Sequence, residues 1–577
     1  MLNSTYRTRL FTSALCMAVA PLAMAQDPLY QYTGALSENE GRYLVGLGDV
    51  NGDGLGDFVS VVKDQIQHME ARSGANGAVL WSKNLSDLPG GGWVTTAAAV
   101  TGDLDGDGVL DFVLGSMETW STGVNAGRVR TFSGATGAKL WDVAGEVSNL
   151  FFGTSVAGMD DVDFDGVEDV AVGAWSDQPP NPMQGNVGSV RVLSGVDGHE
   201  IYRIYGPAYA SSGPGGSGIG GTLGRLGDLD GDGLDDLGVG SYFGTADTDD
   251  GEVKSPVWIV SGADGSLIVE LPLPEYTWPL TPAFASTNDL TGDRVAEFVA
   301  GFPHSAVPET GGGGVAILFD GTTKVPLAEW KGEVPLEFFG GSIVVPGDVD
   351  GDGHADVLVG IRQTGAPVNP PYGVVRLFSG RTHEELFELL PDPQSPTNLS
   401  GFFGRALAPL GDVNGDGAPD FVLGQGWSDG IQINPGQVRA YSTRPLTLWT
   451  KAPYVSAAGG VQRLNIELGP EHGGEIYLTL GSATGIEPAV PLGGLALPLV
   501  PDTYTTWVLA SGGGPMGGDF VGLLDAQGHA LVKVTVPPLT GPLASLVGSV
   551  LWHAALSLDP IGAPSATTNA VPLTLVP

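Results

Sequence analysis

The sequence predicts an all-β protein: a seven-bladed β-propeller with calcium-binding loops, followed by a C-terminal antiparallel β-sandwich domain. Three observations carry this expectation. A nine-residue acidic loop returns seven times, beginning at Asp49, Asp103, Asp161, Asp228, Asp289, Asp348 and Asp412, at intervals of 54, 58, 67, 61, 59 and 64 residues. Each copy is surrounded by the same four short strand candidates. Glycine and proline are abundant, 91 and 42 of 577 residues, and helix-period segments are few, as in a turn-rich chain.

The loop reads Asp-x-Asp/Asn-x-Asp-Gly-x-x-Asp. Oxygens at positions 1, 3, 5 and 9 and the carbonyl of position 7 can converge on one hard cation. Gly at position 6 permits the sharp turn, and an all-oxygen, carboxylate-rich set suits calcium. The predicted ligands are Asp49, Asn51, Asp53, Leu55 and Asp57 in the first copy, and Asp103, Asp105, Asp107, Val109 and Asp111 in the second. The third copy supplies Asp161, Asp163, Asp165, Val167 and Asp169, with Phe164 at position 4. The fourth supplies Asp228, Asp230, Asp232, Leu234 and Asp236, and the sixth Asp348, Asp350, Asp352, His354 and Asp356. His354 contributes through its carbonyl, so its ring is expected to point outward. The seventh supplies Asp412, Asn414, Asp416, Ala418 and Asp420. The fifth departs, with Thr291 at position 3, Arg294 at the turn and Glu297 last. It is expected to be weak or empty, with the Arg294 guanidinium a candidate for the ion's place, leaving about six calcium sites.

The strands follow in order. A first strand precedes each loop, as at Tyr43–Leu47 or Arg405–Leu410. A short apolar run follows it (DFVSVV, DFVLGS, DVAVGA, DLGVGS, EFVAGF, DVLVGI, DFVLGQ), as in a strand buried on both faces. An alternating third strand, a tight turn such as Ser133-Gly134-Ala135-Thr136-Gly137, and a fourth strand such as AKLWDV complete the unit. There are eight fourth-strand candidates for seven blades, from Leu29–Thr33 to Leu446–Thr450.

The pattern resembles the FG-GAP repeats of integrin α-subunit propellers over about residues 29–450. Phe152-Gly153, Phe339-Gly340 and Phe403-Gly404 stand ahead of loops, and the apolar strands after them end in Gly. The resemblance implies that the N-terminal strand completes the last blade, so that Leu29–Thr33 joins the blade of Asp412 and Leu446–Thr450 is surplus. No Arg-Gly-Asp stands in the sequence.

Antiparallel alternation puts the acidic loops and the third-to-fourth turns on one face of the disc. The longer second-to-third and inter-blade loops lie on the other. Trp120, Trp175, Tyr242 and Trp427 fall there and are the candidate ligand platform, against the plainer reading that such rings cover blade edges. Phe152, Phe339 and Phe403 are expected to pack between blades. After about Ala452 the repeat stops, and Asp525–Gly528 reads as a hairpin turn between alternating runs of the sandwich.

Met1–Ala25 reads as a secretory signal peptide, with Arg7 and Arg9, an apolar run to Leu22, and cleavage after Ala25. The expected division is therefore 1–25 leader, 26–450 propeller and 451–577 sandwich. The only cysteine, Cys16, lies in the leader. A run apolar enough to cross a membrane is lacking after the leader, so the protein is expected to be secreted or held at the cell surface. The net charge of −40 disfavours nucleic acid as a partner and is compatible with cationic or calcium-bridged ones, the plainer reading being an acidic solvated surface with calcium loops.

The eight histidines form no metal-binding pair, and no nucleophile elbow, phosphate loop or dinucleotide fingerprint is found. The leading functional reading is an extracellular adhesion or ligand-binding protein without catalysis, its partner a protein or polysaccharide. The alternatives are a polysaccharide lyase or hydrolase on a propeller scaffold, and a purely structural envelope or matrix protein.

Overall fold

The computed structural model describes residues 23–576 apart from a set of short intervals, the longest being 86–93, 362–372, 390–402, 426–435 and 507–516. Each acidic loop joins the first two strands of a four-stranded antiparallel blade. Blade 1 consists of Tyr43–Gly48, Asp57–Val62, His68–Arg72 and Val79–Asn84, paired in chain order. Blades 2 to 6 repeat this order around the loops from Asp103 to Asp348. A parallel contact between Asn186–Leu193 and Gly215–Arg225 joins blades 3 and 4. Within the expected leader, Ala23–Met24 pairs in parallel with Glu385–Leu389 at the edge of blade 6, and the leader up to residue 22 lies outside the described residues.

The ring closes as the resemblance to FG-GAP propellers implied. Tyr30–Thr33 pairs antiparallel with Gln437–Tyr441 and is the fourth strand of blade 7. The same strand is tied to blade 1, where the Arg72 guanidinium lies 3.7 Å from the Tyr32 ring centroid and the Tyr30 hydroxyl donates to the Ser73 carbonyl at 3.4 Å. Leu448–Trp449 instead pairs with Asn465 and Ile466 in a C-terminal sheet.

Second strands are buried from end to end, as at Asp57–Val62, Val170–Ala174, Phe298–Phe302 and Asp420–Gln425. They stand inside the ring with a blade on either side, which is why their sequences lack alternation. Fourth strands, such as Val79–Asn84, are on the outside and partly exposed. Phe152, Phe339 and Phe403 are buried as expected, and the glycine after each has φ of +83°. This glycine also lies against the second strand of the preceding blade. A Cβ on Gly301 would stand 2.2 Å from the Gly340 carbonyl oxygen, and one on Gly340 2.7 Å from that of Val315. The Phe-Gly pair thus fills the seam with a ring while letting two backbones touch.

The C-terminal region is a sandwich of two sheets. One contains Leu448–Trp449, Gly460–Glu467, His529–Val536 and Gly517–Gly518. The other is built on Ile476–Ser482, Val550–Leu558 and Val571–Val576. Leu464, Ile466, Val532 and Val534 of the first share a core with Leu480, Leu551, Ala554 and Leu573 of the second. That core is continuous with Leu55, Ala75, Leu410 and Val413 of blades 1 and 7.

Two local expectations are corrected. The strands on either side of Asp525–Gly528, of which 526–528 lie outside the described residues, do not pair as a hairpin: Val521–Leu523 pairs with Ile476–Leu478, whereas His529–Val536 pairs with Gly460–Glu467 in the other sheet. Period-2 alternation shows which residues face inward but not which strand is the neighbour. Among the described residues the sandwich also holds a parallel pair, Tyr454–Ser456 with Val571–Val576.

Candidate metal centres and the opposite face

In each loop the position-1 carboxylate acts first as a cap. The backbone N–H groups of Gly106 and Asp107 donate to Asp103 Oδ1 at 2.7 and 3.0 Å, and Gly108 N–H donates to Oδ2 at 2.7 Å. The same pattern holds at Asp49, Asp289, Asp348 and Asp412. The chain wraps around this carboxylate because positions 4 and 6 both take left-handed φ, +77° at Gly106 and +90° at Gly108. The N–H of each position-7 residue, Leu55, Val109, Val167, Leu234, His354 and Ala418, donates to the position-5 carboxylate at 2.9–3.0 Å.

Position 9 connects this loop to the turn beside it. Asp111 Oδ2 accepts the Leu104 N–H at 2.7 Å and Oδ1 accepts the Gly134 N–H, from the third-to-fourth turn, at 2.8 Å. Asp57, Asp169, Asp236 and Asp356 repeat both bonds. All seven position-9 carboxylates, Glu297 and Asp420 included, are 0% exposed. None of the seven has a Lys, Arg or His ion pair among the described residues. Burial pushes Asp57, Asp111, Asp169 and Asp356 up to about 6 and Asp236 up to about 7. A buried carboxylate lacking a cationic side chain is the arrangement that a cation from solution completes.

The fold brings the position 1, 3 and 9 carboxylates together in blades 2, 3, 4 and 6, with ligand oxygens within 4.8 Å of one another. In blade 5 the trio is Asp289, Asp293 and Glu297, at positions 1, 5 and 9. Arg294 adopts φ of +76° in the turn glycine's place, and its N–H still donates to Asp289 Oδ2 at 2.8 Å. The departing sequence therefore keeps the loop's backbone, and the Arg294 side chain is exposed. In blade 1 the Asn51 side-chain oxygen accepts the Asp53 N–H at 2.9 Å. In blade 7 the Asn414 amide donates to Asp420 at 3.2 Å. His354 corrects an expectation: its ring is turned back, with Nδ1 3.2 Å from Asp352 Oδ1 and a side-chain exposure of 26%.

Sequence reasoning missed the ties between blades on this side. The Trp81 indole N–H donates to the Gly134 carbonyl of the next blade at 2.8 Å, and Trp141 does the same to Gly195 at 2.7 Å. The Tyr202 hydroxyl reaches the Gly262 carbonyl at 2.7 Å, and Trp330 reaches that of His383 at 3.0 Å. The available signal was an aromatic recurring in the fourth strand of several blades, as in VLWSKN, KLWDVA, EIYRIY and PLAEWK.

On the opposite face, Phe151, Trp175 and Tyr242 form a continuous stack. Ring centroids are 4.5 Å apart for Phe151–Trp175 and 4.8 Å for Trp175–Tyr242. Tyr242 is 46% exposed, and Phe151 is held at φ of +56°, a costly conformation for a bulky residue. Two predicted platform residues thus meet across blades 3 and 4, while Trp120 and Trp427 lie outside the described residues.

A family model described as FG-GAP repeat matches residues 340–370, which run from the Phe-Gly glycine of blade 6 through its loop and second strand. Mouse (Mus musculus) integrin alpha-8 is 32% identical over 176 residues, covering 30% of this chain and 16% of the relative. Integrin alpha-PS2 of Drosophila melanogaster is 34% identical over 144 residues, covering 24% and 10%. Integrin alpha-5 of Xenopus laevis is 28% identical over 233 residues, covering 38% and 20%. The chain thus spans a fifth or less of the length of these relatives. The repeat, these similarities and the blade geometry agree: the chain carries FG-GAP-type repeats and is similar over the matched residues to the propellers of integrin alpha chains.

Proposed function

We propose that this chain is an extracellular ligand-binding or adhesion propeller, in which calcium in about six loops acts as a structural tie and not as a catalytic centre. The observation that carries the calcium part is the set of fully buried position-9 carboxylates, none of which forms a direct ion pair with Lys, Arg or His among the described residues. Calcium held by the position 1, 3, 5 and 9 side chains and the position-7 carbonyl would neutralise them. The protein's own contribution is to preform the cradle, since the position-9 carboxylate already joins loop to turn by backbone hydrogen bonds. The leader at 1–25 and the division into 26–450 and 451–577 belong to the same reading.

Ligand binding is assigned to the face with Phe151, Trp175 and Tyr242, where stacked, half-exposed rings offer a flat apolar surface to a sugar or a protein side chain. The similarity to integrin alpha chains supports this reading. The test is binding of residues 26–577 to arrays of polysaccharides and matrix proteins, with calcium and with chelator. Retention of intact ligand, lost in the Trp175→Ala/Tyr242→Ala double variant, is expected. Cleavage of the captured ligand would replace this reading with the enzymatic one.

A further inference from the structure

The junction between blades 4 and 5 departs from the aromatic ties described above. The fourth strand of blade 4, Leu267–Glu270, has the sequence LIVE and offers no ring donor. In its place a side chain comes back from blade 5. Lys324 stands in the third-to-fourth turn at the left-handed position that Gly77, Gly137, Gly198 and Gly265 hold in blades 1 to 4, with φ of +58°. Its ammonium donates to the Leu229 carbonyl at 2.8 Å, to the Gly321 carbonyl, and to that of Thr322 at 3.4 Å. Lys324 is 7% exposed.

Leu229 is position 2 of the blade-4 loop. The carboxylates whose charges act on the ammonium are those of Asp236, Asp320, Asp230 and Asp293. Two of these, Asp230 and Asp236, belong with Asp228 to the trio that the fold brings together in blade 4. A fixed positive charge beside a cation site repels the incoming ion, and burial strengthens the effect. Three carbonyls hold the ammonium, and the backbone carrying it is in a turn whose Asp320 carbonyl accepts the Lys324 N–H at 2.9 Å.

We propose that Lys324 is a built-in counter-cation of the blade-4 loop. That loop, DLDGDGLDD, has every ligand position filled in sequence, yet it binds a divalent cation more weakly than the equivalent loops of blades 2, 3 and 6. The lysine also takes over the tie between blades that an aromatic ring makes elsewhere. The inference rests on the calcium reading of the loops.

The test is calorimetric titration of the full chain with calcium, comparing wild type with Lys324→Met, Asp228→Ala and Asp103→Ala. Lys324→Met is expected to tighten one class of site at least tenfold. Asp103→Ala is expected to remove a tight site, and Asp228→Ala only a weak one. A Lys324→Met titration that overlays wild type in a folded protein overturns the inference, as does loss in Asp228→Ala of a site as tight as the one lost in Asp103→Ala. The two aspartate variants decide the matter in a background where Lys324 is intact, should Lys324→Met fail to fold. Absence of calcium binding in wild type would refute the calcium reading itself, a different result from equal binding in the two loops.

Discussion

Replacement of Asp111 by Asn separates the two roles of a position-9 carboxylate. In wild type both oxygens accept backbone N–H groups, from Leu104 and Gly134. An amide accepts one of them and points its own NH2 at the other, leaving a buried donor unsatisfied at a cost of about 1–3 kcal/mol. Against this stands the cost of the buried charge without metal. Burial raises the Asp111 carboxyl from 3.8 to about 6, so its favourable contribution is complete below 3.8 and is lost as pH rises through 6. At pH 7 that loss is about 3 kcal/mol, which Asn avoids. In chelator at pH 7 the two effects offset, and the variant should melt close to wild type. In calcium the variant also forfeits the ion's linkage energy, about 1.4–2.7 kcal/mol at about 10 mM calcium for dissociation constants of roughly 0.1–1 mM. The assay is thermal melting of both proteins in both buffers at pH 7. A substantial fall in melting temperature in calcium and little change in chelator is expected. The same fall in both buffers would refute the reasoning, since the carboxylate would then act only through its backbone bonds.

The sandwich should respond to acid in the opposite sense to the calcium-free propeller. His553 is fully buried, its Nε2 lies 2.8 Å from the Tyr504 hydroxyl, and burial pushes it down to about 4. Its contribution is complete above about 6.5 and is lost as pH falls through 4, about 3 kcal/mol in all; His553→Phe should flatten the acid limb of a pH–stability curve. Trp141→Phe removes the donor to the Gly195 carbonyl and should cost about 1–2 kcal/mol in denaturant unfolding. Gly340→Ala should cost several times more than Gly353→Ala. Both have left-handed φ, but a Cβ at 340 meets the Val315 carbonyl at 2.7 Å while one at 353 meets nothing within 4 Å. Equal unfolding midpoints for the two alanine variants would show that φ alone sets the cost.

The repeat was legible without coordinates because its chemistry is local. A loop that wraps its own first carboxylate needs Asp at position 1 and left-handed residues at 4 and 6, and all three requirements are met within nine residues. Blade number, the buried second strand and the face assignment follow from counting these units and from strand alternation, and the inward Phe of each Phe-Gly pair from the resemblance to FG-GAP repeats. Arg294 shows where such local reading overreaches: it breaks the glycine rule, yet the backbone accommodates it at φ of +76°.

Contacts between distant residues were decided only by tertiary structure. Candidate ligand types were spelled out in the loops, but the burial of Asp111 and its bond to Gly134, 23 residues away, depend on how strands 2 and 3 pair. The stack of Phe151, Trp175 and Tyr242 depends on the stagger between blades 3 and 4. Val521–Leu523 and His529–Val536 carry the alternation of a hairpin and go to different sheets. Lys324 reads as one lysine among turn residues until the fold sets it 2.8 Å from the Leu229 carbonyl, 95 positions earlier. Local pattern determines what a segment becomes and which side it buries; the partner across a seam is selected by packing of the whole ring, which no window of sequence contains.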